Sequence, residues 1–161
     1  MPELIHPAIA VRESYLAGER AMAAAEKAAR PDWMAAAEAD FAAFAARRAA
    51  TQHYWDVPVT ELWFVDGPEY LGTVMIRHQL TPQLLAEGGH IGYHVVPGHR
   101  RRGYATAMLA GACDWCRRCL DLTEVLLTCD DTNTGSRRVI EANGGKLADI
   151  AKGTCRYWIT L

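Results

Sequence analysis

Two histidines and a run of three arginines, set within one short stretch, carry most of the chemistry this sequence offers. Between Gly88 and Ala105 the chain reads GGHIGYHVVPGHRRRGYA. His90 and His94 are proton-transfer candidates, because imidazole titrates near ~6.5 and accepts a proton close to neutral pH. Arg100, Arg101 and Arg102 stand immediately before Gly103, and a helical pattern opens at Tyr104. A basic loop running into a helix N-terminus is an anion site. Its first amides lack partners, and the positive end of the helix dipole faces the loop. The dipole contributes up to about 2 kcal/mol in a partly buried site, and guanidiniums add charge-assisted hydrogen bonds. Pyrophosphate is the natural guest. Neither the G-x-G-x-x-G fingerprint nor the lysine-bearing phosphate loop occurs in the chain.

A strand, a loop and a helix must position these groups. Ile91, Tyr93 and Val95 alternate with Gly92 and His94, which reads as a strand, and Pro97-Gly98 ends it. Met108, Leu109, Ala112, Trp115, Cys116 and Cys119 then recur at helical spacing. Upstream, Leu4-Ile5 reads as a short edge strand, and a helix is expected from about Ala8 to Ala29. Pro31-Asp32 breaks it, and Asp32 is the expected N-cap of a second helix carrying the apolar stripe Trp33, Ala37, Phe41 and Phe44. Leu62-Val65 and Tyr70-Arg77 flank Asp66-Gly67-Pro68 and predict an antiparallel hairpin. Val125-Cys129 predicts another strand. Ser136-Ala142 predicts a helix stopped by Asn143-Gly144-Gly145, and Thr154-Leu161 predicts a closing strand.

Composition bounds what the chain can be. Its 161 residues, 50 % hydrophobic and 22 % charged, fit one α+β domain with a sizeable core. A net charge of -2 does not mark a nucleic-acid binder, since the basic character is local. No apolar run approaches the ~20 residues of a membrane span, and no leader pattern opens the chain. Five cysteines, an odd number, argue against a disulfide framework and for a reduced, cytoplasmic setting. Cys113, Cys116 and Cys119 have a metal-ligand spacing, but on a helix the outer two stand about 9 Å apart along the axis. One metal with thiolates at ~2.3 Å cannot span that, so no metal is expected.

The loop carries a resemblance. Arg100-x-x-Gly103-x-Ala105 matches the Q/R-x-x-G-x-G/A signature of the GNAT superfamily of N-acetyltransferases, which this chain resembles from roughly Leu62 to Leu161. The resemblance implies a central mixed, mostly antiparallel sheet splayed at the cofactor strand, flanked by helices and joined by an N-terminal helical pair. Residues 1–57 would form the helical part and 58–161 the sheet and acyl-CoA core of a single domain. It implies acetyl-CoA as acyl donor, with the backbone of Val95 and Val96 pairing with the pantetheine arm. Arg100, Arg101, Arg102, Gly103, Tyr104, Ala105 and Thr106 would hold the pyrophosphate. Asn133 and Ser136, after the strand Val125-Cys129, would lie along the cofactor. The acceptor would be an amine of unspecified kind, small or peptidic, and a homodimer is a family expectation.

Amine acetylation needs a base, a donor for the developing oxyanion and a proton source for the leaving thiolate. His90 is the expected base, on the central strand where relatives place a glutamate; His94 and Glu87 rank after it. Relatives carry a tyrosine acid about seven residues after the asparagine, but counting from Asn133 reaches Ile140, which has no proton to give. Tyr93 and Tyr157 are the phenols on predicted strands. Without such an acid the alternative is an acyl-CoA-binding sensor with weak or absent turnover.

Overall fold

The protein is described over residues 1–161 by a computed structural model. Its two sheets meet in a cleft. The first has the order β1 (Glu3–Ile5), β3 (Val57–Asp66), β4 (Glu69–Arg77), β5 (Ile91–Val95), with β2 (Gln52–Tyr54) also on β3. The second has the order β6 (Glu124–Asp130), β8 (Thr154–Thr160), β7 (Lys146–Ala151). Every ladder is antiparallel. The sheets touch where β5 begins: His90 N donates to Leu126 O at 2.8 Å, and Gly89 bridges Leu127. Beyond that contact β5 and β6 belong to separate sheets, and the expected splay lies there.

Helices cover both faces. On one, α5 (Tyr104–Leu120) and α6 (Thr134–Ala142) pack Met108, Leu109, Ala112 and Ile140 onto Leu62, Val74, Ile76 and Ile91. On the other, α1 (Arg12–Ala25), α2 (Asp32–Ala39) and α3 (Phe41–Ala49) bring Tyr15, Met34, Phe41 and Phe44 against Trp63, Val65 and Tyr70. Strand side chains alternate, so Leu62 and Phe64 enter one core while Trp63 and Val65 enter the other. That is why Leu62-Val65 reads as an unbroken apolar run. No helix is long and apolar enough to cross a membrane.

Several elements differ from their sequence reading. The Trp33–Phe44 stripe is divided between α2 and α3, because Asp40 leaves helical geometry (φ -150°) and its Oδ1 accepts from Ala43 N at 3.1 Å. Asp40 therefore does the side-chain capping expected of Asp32, which is instead the first residue of α2. The expected first helix begins with a 3-10 turn at Ile9–Val11 and ends at Ala25. The connection Leu80–Glu87 contains a short helix, α4 (Pro82–Ala86), capped by Thr81 Oγ1 accepting from Leu84 N at 3.2 Å. Strands β2 and β7 are additions.

Candidate active site

The anion loop is built by backbone first. Arg101 (φ +62°) and Gly103 (φ +79°) both adopt left-handed conformations, turning the chain sharply into α5. Gly103 occupies the N-cap without a side-chain bond, so the first amides of α5 keep no side-chain partner. They face a cavity of about 620 Å³ between β5 and α6, lined by Val95, Arg100, Arg101, Gly103, Tyr104, Ala105, Thr106, Asn133 and Ser136. Such a volume suits a sizeable small-molecule ligand. Arg100 lies across its mouth, Nε donating to Val95 O at 3.0 Å and Nη2 to Met22 Sδ at 3.1 Å. Asn133 caps α6 by accepting from Ser136 N at 3.0 Å.

Two expected residues fall outside this cavity. Arg102 is exposed and does not line it. Val96 is 3 % exposed, packs among the N-terminal helices, and donates its amide to Leu71 O at 3.0 Å. That bond also fixes the hydrogen-bonding phase of β5. Arg77 N donates to His90 O at 2.7 Å, so strand alternation directs the backbone groups of Gly92 and His94 toward β4. Those of Tyr93 and Val95 are directed into the gap. The backbone edge directed into the gap is therefore Tyr93 and Val95 rather than Val95 and Val96, with Val95 O held by Arg100.

The structure separates the two histidines. His90 is 6 % exposed and lines no cavity of the cleft. Its Nδ1 accepts from Leu126 N at 2.9 Å, closing the contact between the sheets. Burial, aided by the Arg77 charge, pushes its pKa down to about 4. His90 thus acts as a neutral clasp between β5 and β6. His94, two strand periods further along the same face, lines both the large cavity and a second one of about 420 Å³ under α1 and α2.

Around His94 is a network that sequence reasoning missed. Nε2 lies 2.9 Å from Glu19 Oε1, and Tyr70 Oη donates to the same oxygen at 2.5 Å while lying 2.5 Å from Thr73 Oγ1. Glu19 is 7 % exposed. Burial pushes its pKa up, but hydrogen bonds and charge from His94, with help from Tyr70 and Arg48, outweigh this and hold it below the ordinary carboxylate range. A carboxylate on His94 makes Nε2 the protonated nitrogen and Nδ1 the basic one. The overlooked signal was Glu19 itself: Tyr15, Glu19 and Met22 share one helical face, and an acid on an apolar stripe needs a partner.

The phenols also sort themselves. Tyr93 lines the large cavity and a third one of about 320 Å³, and its Oη lies 2.9 Å from Ser136 Oγ. Burial raises its pKa, with the Ser136 bond opposing, so it remains a proton donor. Tyr157 is 1 % exposed, its Oη donating to Glu141 at 2.7 Å and accepting from Arg137 at 3.0 Å. It is a packing residue. Ile140 is fully buried in the core. The pair Cys113 and Cys116 face the core from α5, with thiols raised by burial to about 11 and about 12.

These elements match a known family. The sequence pattern of an acetyltransferase (GNAT) domain covers residues 8–146. The chain belongs to the GNAT acetyltransferases. It is an acyl-CoA-dependent N-acyltransferase by type. Similar solved structures include the microcin C7 self-immunity acetyltransferase MccE in complex with acetyl-CoA and AMP, at TM-score 0.66 and 15 % identity over 99 % of this chain and 92 % of that one. The GNAT domain of S. lividans PAT follows at 0.62 and 17 %, over 99 % and 89 %. An acetyltransferase from Agrobacterium tumefaciens str. C58 gives 0.61 and 21 %, over 99 % and 91 %. At these identities the likeness is one of fold. No curated protein sequence matches the chain.

Proposed function

We propose that this GNAT protein transfers an acetyl group from acetyl-CoA to an amine, with His94 as the base. The observation that carries the reading is the His94–Glu19 pair at 2.9 Å, standing beside the anion-loop cavity. The residues present fit the donor: uncapped α5 amides and the Arg100–Arg101 charges suit a pyrophosphate, and the Tyr93 and Val95 backbone edge suits an amide-bearing arm. Acetyl-CoA supplies there an acyl group held as a thioester, activated toward amines.

The chain's own groups supply the rest. His94 Nδ1 takes the proton of the incoming amine, and Glu19 stabilises the imidazolium that results. The Tyr93 amide, directed into the gap, is placed to donate to a developing oxyanion. As the amine's bond to the acyl carbon forms, the carbon–sulfur bond breaks, and Tyr93 Oη, held by Ser136, is the proton donor for the departing thiolate. The acceptor enters through the 420 Å³ cavity, whose walls include Trp33, Thr73 and Met75. Acetyl-CoA turnover, read as free thiol across a broad amine panel, tests this. Thiol release with one amine class supports transfer; tight acetyl-CoA binding without thiol release from any amine would make the protein an acyl-CoA sensor instead.

A further inference from the structure

The sheet face that carries His94 also carries a positive charge with no carboxylate partner. Thr73, Met75 and Arg77 share one face of β4 by the two-residue period, and the register sets Thr73 opposite His94 and Met75 opposite Gly92. Arg77 is half-buried, yet its guanidinium bonds only to carbonyls, Nη1 donating to Gly88 O at 2.8 Å and Gly89 O at 3.2 Å. Nε is buried without any partner, and Nη2 makes no bond in the protein. By contrast Arg48, half-buried on the same face, is matched by Glu61 at 2.9 Å. Burying an uncompensated charge is costly, and burial lowers the pKa of Arg77.

The side chain is nevertheless held firmly. The Trp55 ring lies 4.5 Å from its Cζ, and a Cβ at Gly92 would stand 3.5 Å from Nη2. Because Gly92 has no side chain, Nη2 lies uncovered over β5. It borders the 320 Å³ cavity, which Tyr93, Asn133 and Ser136 share with the donor cavity. Thr128 and Thr154 add hydroxyls to its wall. A fixed guanidinium with free donors, beside hydroxyls and next to the transfer site, is built to receive an anion.

We propose that Arg77 anchors a carboxylate on the acceptor, so that the acceptor is an amine carrying a carboxylate several bonds away. This rests on the transfer reading above. Glu87 and Asp130 line the same cavity, exposed and without cation partners. They disfavour a dianion such as a phosphate ester more than a single carboxylate. The spacer follows from the strand. Arg77 Nη2 stands over Gly92, two residues from His94, a separation of roughly 7 Å at ~3.4 Å each.

The test uses ω-amino acids from glycine to the six-carbon member, each paired with its carboxamide, on the wild type and on Arg77→Gln. At the best-fitting length wild-type kcat/KM should favour the carboxylate by about 10-fold or more, the worth of one charge-assisted hydrogen bond, and Arg77→Gln should bring that ratio toward one. A wild-type ratio of one at every length overturns the anchor without reference to the variant, as does a ratio unchanged in Arg77→Gln. Calorimetric binding of the N-acetylated acids and amides separates the two readings. Arg77-dependent preference for the acids without turnover of any amine keeps the anchor and removes the transfer. Equal turnover of acids and amides keeps the transfer and removes the anchor.

Discussion

His90 and His94 differ by what surrounds them, and their responses to pH should differ accordingly. His90 is held neutral in the fold, with a pKa near 4 against about 6.5 in an unfolded chain. Between those values the unfolded state binds the extra proton, so stability falls as pH drops through 6.5 and levels off below about 4. The full loss is on the order of 3 kcal/mol. Denaturation midpoints measured from pH 7.5 to 4 should show this slope in the wild type. They should flatten in His90→Asn, whose amide oxygen can still accept from Leu126 N but does not titrate. Glu19 acts in a lower window: its depressed pKa gives stability that is complete above its unfolded value and lost as pH falls through the folded one. Glu19→Gln should reduce kcat by about 10-fold or more with little change in the acetyl-CoA KM, because it removes the anion behind His94 rather than any contact to the donor. Which histidine lines the cleft could not be read from the sequence. Both fall on one alternation phase, and the deciding carboxylate lies 75 residues upstream of His94.

At the scale of elements, the cleft depends on where two glycines sit. A Cβ at Gly89 (φ +62°) would stand 2.3 Å from Leu126 O, so Gly89→Ala must push β5 and β6 apart. It should lower the melting temperature by well over the ~1 kcal/mol equivalent of a left-handed alanine, and thermal denaturation reads this directly. A Cβ at Gly103 (φ +79°) would meet nothing within 4 Å, so substitution there strains only the backbone and the loop. Gly103→Val should weaken CoA binding by about 10-fold or more while leaving the protein folded, measured by calorimetry. The strand–loop–α5 order was legible because proline, glycine and a change of period mark its borders. The break between α2 and α3 was not, since the Trp33–Phe44 stripe runs through Asp40 without a proline or glycine. β7 was hidden too: all its residues are exposed, so Lys146–Ala151 carries no alternation between core and solvent.

The whole molecule couples two cores through one sheet, and the His94–Glu19 pair spans them. Glu19 comes from α1 and His94 from β5, joined by a core in which Tyr15 stacks on Trp63 at 4.2 Å. A fragment 58–161 would expose Trp63, Val65 and Tyr70, and should be insoluble or unfolded by circular dichroism. The family signature made the donor side of the molecule legible from the loop alone. The proposed acceptor side is assembled from α1, α2 and β4, whose apolar patterns read as packing, and its chemistry emerged only with the fold. The most direct measurement is kcat for His94→Ala and His90→Asn at saturating acetyl-CoA with the best amine found. The assignment of His94 as base predicts a loss of about 100-fold or more in His94→Ala and near wild-type kcat in His90→Asn. Full activity in His94→Ala, or a selective collapse of kcat in a folded His90→Asn, would contradict it.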